Sequence, residues 1–186
     1  MTFANEKKMY LTKQDKSKKG DIDSLVLPLL NIINRKEEYY TTSSCSGRVY
    51  LWQGSGKKNE TNWITVSHEP IREDFFKVSE PAGIVWLRLE AFILHVACRD
   101  LDSANTLLEA SRKIYKKSSI LSASNKIIVE VRGSEFLEMP LYNDNQLLFC
   151  GSRSWLVGYI NAKMGGIAEG IRRFEKVIKK IQRREI

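Results

Sequence analysis

Between Thr41 and Glu69 the chain reads TTSSCSGRVYLWQGSGKKNETNWITVSHE, a cysteine among serines beside a glycine, an arginine, two tryptophans and a histidine. Three kinds of chemistry use such residues: a nucleophile, a metal site, or a surface that grips a polyanion. Small hydroxyl side chains next to a glycine leave backbone N–H groups open. With an arginine they can present several donors to phosphate or carboxylate oxygens. The same composition also makes an ordinary serine-rich turn. A covalent reading pairs Cys45 with His68 or His95, because imidazole can hold a nearby thiol as thiolate, but no local motif demands the pair. Zinc needs four ligands, and the spacing of Cys45, His68, His95 and Cys98 matches no structural zinc pattern, so no metal is expected. GSG at 54–56 follows a strand-like run as a phosphate loop does, yet the KKNETNW after it starts no helix, and the stretch reads as a hairpin tip.

Glu90 and His95 bracket the apolar AFIL. On one strand, alternation puts Glu90 and Phe92 on one face and His95 on the other, so a shared site requires a bulge or bend between them. Ionisable residues beside a hydrophobic run are costly unless partnered, which makes these two site candidates. The alternative is an internal salt bridge of Glu90 with Arg88 or Arg132.

A chain of 186 residues can bury a sizeable core in one domain. Thirty Lys and Arg against 22 Asp and Glu leave a net charge of +8, which favours polyanionic partners, nucleic acid first, although surplus charge can also serve solubility alone. Cys45, Cys98 and Cys150 are odd in number and form no CxxC pair, which argues for a reducing compartment. No segment approaches the roughly 20 apolar residues that span a bilayer, and the lysine-rich start has no apolar signal core, so a cytoplasmic protein is expected.

The elements that must position these residues follow from patterning. KKMYLTKQDKSKKGD is a basic arm or a solvated first helix ending at Gly20. From Asp21 a helical period begins, with Asp21 or Asp23 as cap and Pro28 as a bend or restart. VYLW (49–52) and WITV (63–66) read as a hairpin, and GIVWLRLEAFILHVAC (83–98) as two strands or one long bent strand at the centre of a sheet. Residues 100–117 form the clearest helix, capped by Asp100 or Asp102. KIIVEVRG and EFLEMPLY read as a strand pair turning at Gly133. From Arg153 there follows one long basic helix, or a kinked pair broken near Gly165 and Gly166. The expectation is a single α+β domain over residues 1–186, a mixed, mostly antiparallel sheet flanked by helices, with a basic arm or helix at 1–20 and a basic helical segment at 153–186.

INRKEEYYTTSSCSGRVYLW, then WITVSHE, LRLEAFILHVACRDLDSANTLLEAS, VEVRG with LEMPL, and YINAKM with IRRFEKV together resemble the tRNA wybutosine-synthesizing protein 3 family, in the family's order over residues 21–178. The resemblance implies an S-adenosylmethionine-dependent methyltransferase acting on ring nitrogen N4 of the tricyclic guanosine derivative at position 37 of phenylalanine tRNA, on a fold that is not Rossmann-like. It matches Ser43, Ser44, Cys45, Ser46, Gly47 and Arg48 as a cofactor- or anion-binding set, whether for the methionyl carboxylate or a tRNA phosphate. It also matches Trp63, Ser67 and His68, then Glu90, Phe92, His95, Arg99 and Ala104, then Arg132, Pro140, Asn161 and Arg172. Glu90, His95 and His68 become the candidate catalytic residues, holding the acceptor ring or removing its proton. Trp52, Trp63 and Phe92 are candidates to stack on base or adenine, with core packing as the alternative for each. Lys13, Lys18, Arg172, Arg173, Lys176 and Lys180 are candidates to contact phosphates of the anticodon arm. In-line methyl transfer forms no enzyme adduct, so Cys45 need not be a nucleophile. IYKKSSI (114–120) departs from the family by losing both its glycines, which puts any close backbone approach there in doubt. A noncatalytic RNA-binding module with the same basic surface is the competing reading.

Overall fold

A computed structural model describes residues 2–12, 22–54, 61–81 and 83–181. Its helices are α1 (Phe3–Leu11), α2 (Leu27–Arg35), α3 (Leu101–Arg112) and α4 (Arg153–Lys179). Its strands are β1 (Tyr39–Cys45), β2 (Arg48–Gln53), β3 (Asn62–Ser67), β4 (Ile84–Glu90), β5 (Ile93–Cys98), β6 (Ser119–Ser122), β7 (Ile127–Arg132), β8 (Phe136–Asn143) and β9 (Gln146–Leu147). The chain divides into two compact units. Unit 1 takes Met1–Ser46, Phe92–Ser134 and Ala168–Ile186; unit 2 takes Gly47–Ala91 and Glu135–Ile167. Each is built on its own sheet, in the order β1-β5-β7-β6 for unit 1 and β3-β2-β4-β8-β9 for unit 2. Every strand pair among the described residues is antiparallel, so the fold is α+β and has no doubly wound Rossmann sheet.

In unit 1, period-two alternation sends Leu94 and Val96 of β5 and Val129 and Val131 of β7 into the core, where they share burial with Leu107 and Ala104 of α3 and Leu29 and Ile33 of α2. α3 starts at Asp100, whose side chain accepts from the Ser103 backbone N–H in a capping box. Phe92, Tyr115 and Phe174 form an aromatic cluster with centroids 5.1, 5.5 and 6.5 Å apart. In unit 2, Val49, Leu51, Val85, Leu87 and Leu89 line the buried face of the sheet, and Leu156, Ile160, Met164 and Ile167 make the buried stripe of α4 at helical spacing. Asn161 fixes this part of the helix to the Ile71 backbone, its oxygen accepting from N–H at 2.8 Å and its amide donating to C=O at 2.9 Å.

The hairpin of 49–52 and 63–66 forms as β2 and β3, and the stretch 83–98 forms two strands. Several expectations are corrected. β7 and β8 are not a pair: β7 bonds to β5 and β6, β8 to β4 and β9, and the chain changes sheets after Ser134. Gly133 N–H donates to Phe92 C=O, so the glycine extends the β5–β7 ladder instead of turning a hairpin. The second helix starts at Leu27 with Pro28 in its first turn, where a missing N–H costs nothing, and Val26, not an aspartate, is its N-cap. The first helix ends at Leu11 and α3 at Arg112, earlier than read, while the basic segment 13–21 lies outside the described residues. α4 runs unbroken through Gly165 and Gly166, because burial of Met164, Ile167 and Ile171 keeps the helical period past them.

Candidate functional site

The sequence block TTSSCSGR is neither a loop nor one element. Thr41–Cys45 end β1, and Arg48 opens β2. Between them Gly47 has φ +94°, and a Cβ there would meet Glu90 C=O and the Ile167 side chain at 3.1 Å, so glycine serves both conformation and space. In unit 1 the Asp23 carboxylate accepts from both the Ser46 N–H and the Ser46 hydroxyl at 2.9 Å, which fixes the end of the serine run. In unit 2, His68 Nδ1 lies 3.0 Å from the Gly47 carbonyl oxygen.

The face of the unit 2 sheet turned away from its core is aromatic and ionic. Register places Arg48 opposite Glu90, Tyr50 opposite Arg88 and Trp52 opposite Trp86. Arg48 donates to Glu90 Oε2 from Nε at 3.0 Å and approaches it from Nη2 at 2.9 Å, and the Tyr50 hydroxyl donates to Oε1 at 2.7 Å. Arg88 bridges Tyr50 and Glu138. Above the Arg48–Glu90 pair lies Trp63, 39% exposed, stacked on Tyr50 at 4.6 Å with the Arg48 guanidinium 4.4 Å from its ring centre. Burial first, then the bond to Glu90, pushes the Tyr50 hydroxyl up to about 12, so it stays a donor at neutral pH.

The equivalent face of unit 1 holds a row across three strands. Ser43, His95 and Glu130 are register partners on β1, β5 and β7. Ser43 Oγ lies 2.8 Å from His95 Nδ1, and His95 Nε2 lies 3.0 Å from Glu130 Oε2.

Glu90 and His95 therefore sit on different strands of different sheets, not on two faces of one strand. Of the stacking candidates, Phe92 is fully buried in the unit 1 aromatic cluster and Trp52 lies buried beneath Arg88, which leaves Trp63 with an open ring. Arg172, Arg173, Lys176 and Lys180 are exposed, whereas Lys13 and Lys18 lie outside the described residues. Cys98 is buried, and burial pushes its thiol up to about 12, far from thiolate chemistry. Sequence reasoning missed Tyr50, Glu130 and Glu138, and read Asp23 as a helix cap where it accepts from Ser46. For Glu130 a signal existed: a lone carboxylate between Val129 and Val131 must face away from the core.

The antiparallel α+β fold is shared with known proteins. The structure of the PH1069 protein from Pyrococcus horikoshii superposes with a TM-score of 0.87 at 30% identity, over 97% of each chain. The curated tRNA wybutosine-synthesizing protein 3 homolog of Xenopus laevis is 33% identical across 98% of this chain and 77% of its own length. A Thermococcus sibiricus protein, named tRNA(Phe) 7-((3-amino-3-carboxypropyl)-4-demethylwyosine(37)-N(4))-methyltransferase, is 32% identical across 96% of this chain and 94% of its own. The class is thus a methyltransferase without a Rossmann sheet. The family described as Methyltransferase TYW3 matches residues 5–180, and the chain belongs to it.

Proposed function

We propose that this chain transfers a methyl group from S-adenosylmethionine to ring nitrogen N4 of a 4-demethylwyosine-type base at position 37 of phenylalanine tRNA, in the wybutosine pathway. The observation that carries the reading is the near full-length match to relatives named for that reaction, such as those of Thermococcus sibiricus and Pyrococcus abyssi. S-adenosylmethionine, when bound, supplies an electrophilic sulfonium methyl. The residues of unit 2 fit such a molecule: the partly exposed indole of Trp63 suits an adenine or the tricyclic base, and the Arg48 guanidinium suits a carboxylate or phosphate. In this reading Ser44 of unit 1 and Arg48 of unit 2 are separate candidates to meet an anion, whereas the Ser43 hydroxyl lies against His95 and Ser46, whose N–H and hydroxyl both donate to Asp23, shapes the end of the serine run with Cys45 and Gly47. In unit 2, Trp63 stacks and Glu90 and His68 orient the acceptor ring; in unit 1, His95 is the candidate to receive a proton. Trp52 and Phe92 support these elements from below.

Arg172, Arg173 and Lys176 on the exposed side of α4, with Lys180 just past its end, contact phosphates of the anticodon arm, as Lys13 and Lys18 do in this reading. No helix among the described residues is long and apolar enough to cross a membrane, and a cytoplasmic, metal-free enzyme is the setting proposed. The test is incubation of the purified chain with S-adenosylmethionine and phenylalanine tRNA from cells lacking this activity, followed by nucleoside mass spectrometry. One methyl group gained at N4 of the position-37 base is expected. Tight tRNA binding with no methyl transfer and no cofactor binding would instead make the chain an RNA-binding module.

A further inference from the structure

The row Ser43–His95–Glu130 contains one residue that nothing above gives a role. Its order is set by backbone pairing, since β1, β5 and β7 are adjacent and the three residues are direct partners. Both imidazole nitrogens are engaged, so the ring cannot flip without losing a bond. Burial also has a direction along the row. Ser43 is exposed, the His95 side chain is 25% exposed, and the Glu130 side chain is 16% exposed.

These positions fix a tautomer. An ionised carboxylate only accepts, so Glu130 holds the proton on Nε2, and the Nδ1 lone pair is left facing the Ser43 hydroxyl. The open end of the row can then take a proton while the deeper end balances the charge that arrives. Nearby groups do not compete for that place. Ser119 on β6 is the register partner of Glu130 and is neutral. Arg132, two residues along the same face of β7, is exposed.

We propose that Glu130 is the positioning residue for proton removal: it holds His95 as the Nε2–H tautomer, so that Nδ1 accepts the acceptor-ring proton through the Ser43 hydroxyl. The inference rests on the methyltransferase reading given above. With S-adenosylmethionine bound, the ring nitrogen would form a bond to the methyl carbon as the sulfur–methyl bond broke, its electron pair staying on sulfur. The N–H proton passes to Ser43 Oγ as the hydroxyl proton passes to His95 Nδ1. The imidazolium then stands against the Glu130 carboxylate. Ser43 forms no covalent bond to substrate, and no other reactant is required.

Two measurements on the full chain test this. The chain has two histidines, so nitrogen-15 correlation spectra contain two imidazoles, and a His68→Gln variant assigns them. Without cofactor or RNA, His95 should show a protonated Nε2 and a bare Nδ1. Glu130→Gln and Glu130→Ala should each give a mixture of tautomers, while Glu130→Asp should keep the wild-type pattern in part. In single-turnover methylation at saturating tRNA and cofactor, Glu130→Gln should slow the step on the order of 100-fold with binding of both ligands unchanged. A His95 tautomer indifferent to Glu130→Gln and Glu130→Ala overturns the proposal whatever the activity. So does a full methylation rate in Glu130→Gln. If the tautomer follows Glu130 but wild-type protein methylates no tRNA, the positioning of His95 stands and the methyltransferase reading is what fails.

Discussion

β4 and β5 are separated by only Ala91 and Phe92, yet they belong to different sheets whose polar faces differ in kind. The unit 2 face carries groups that keep their charge state near neutrality: Arg48 and Arg88, and Tyr50 with its hydroxyl pushed up to about 12. Glu90 is tied to Arg48 and Tyr50 by bonds of 3.0 Å or less. The unit 1 face carries an imidazole, the side chain whose ordinary titration falls near neutrality, held at both nitrogens. One face is ionic and aromatic; the other is a row of hydroxyl, imidazole and carboxylate. Charge is divided as unevenly. Unit 2 has eight Lys and Arg against nine Asp and Glu, so unit 1 carries the whole surplus, 22 against 13. The surplus positive charge belongs to unit 1, and the exposed Trp63 stack to unit 2.

The sharpest way to break this comparison is to exchange the fates of two aromatic rings. Phe92 is fully buried in unit 1 and Trp63 is 39% exposed in unit 2. Phe92→Ala should cost about 3–5 kcal/mol of stability by urea unfolding, because it leaves a cavity beside Tyr115 and Phe174. Trp63→Ala removes one stack on Tyr50 and should cost only about 0.5–1.5 kcal/mol, while abolishing most of the methylation. If Trp63→Ala keeps full turnover, unit 2 presents its recognition surface elsewhere.

A smaller effect separates holding from proton transfer. Arg48→Ala should slow methylation by roughly 10- to 100-fold, the equivalent of a lost charge-assisted bond, with a modest change in unfolding midpoint. Arg48→Lys should recover part of it, since an ammonium cannot reproduce the planar fork that meets Glu90 from both Nε and Nη2. Cys45→Ser serves as the control from the same block and should retain substantial turnover. Complete loss of turnover in Cys45→Ser with cofactor binding intact would restore a covalent role for the thiol.

Strands β2 to β5 were legible because their residues alternate or are β-branched, and α3 because Asp100 and its apolar stripe agree. The assignment of β7 and β8 to different sheets was not legible. Two strands joined by a glycine have the local pattern of a hairpin, and only long-range pairing with β5 and β4 decides otherwise. The site followed the same rule. Arg48, Glu90, Ser43 and His95 stood out by residue type, but their partners are spread along the chain. Glu130 is 35 residues from His95, and Tyr50 is 40 from Glu90, distances that no local spacing encodes. Asp23 suggested a helix cap because aspartate near a helical run usually is one; its carboxylate instead serves Ser46, 23 residues away.

The least costly test compares how the two units start their helices. α3 of unit 1 is capped by a carboxylate, Asp100, accepting from the Ser103 N–H at 2.7 Å; in unit 2 the Ser152 hydroxyl accepts from the Trp155 N–H at 3.2 Å at the start of α4. The Ser103 backbone bond holds the Asp100 carboxyl below its ordinary value, so the fold favours the ionised form. The resulting stability is fully present above the unfolded value of about 4 and is lost as pH falls through the lower folded value. The Arg99–Asp100 ion pair adds little, because both side chains are nearly half exposed, at 46% and 45%. Asp100→Ala should therefore cost about 1 kcal/mol at neutral pH, with the gap to wild type closing in acid. Ser152→Ala should cost a similar or smaller amount with no pH dependence of its own, since a hydroxyl does not titrate in this range. Urea unfolding of both variants across the acid range measures the difference, and a gap for Asp100→Ala that stays constant through the carboxylate range would show that its charge adds nothing to the cap.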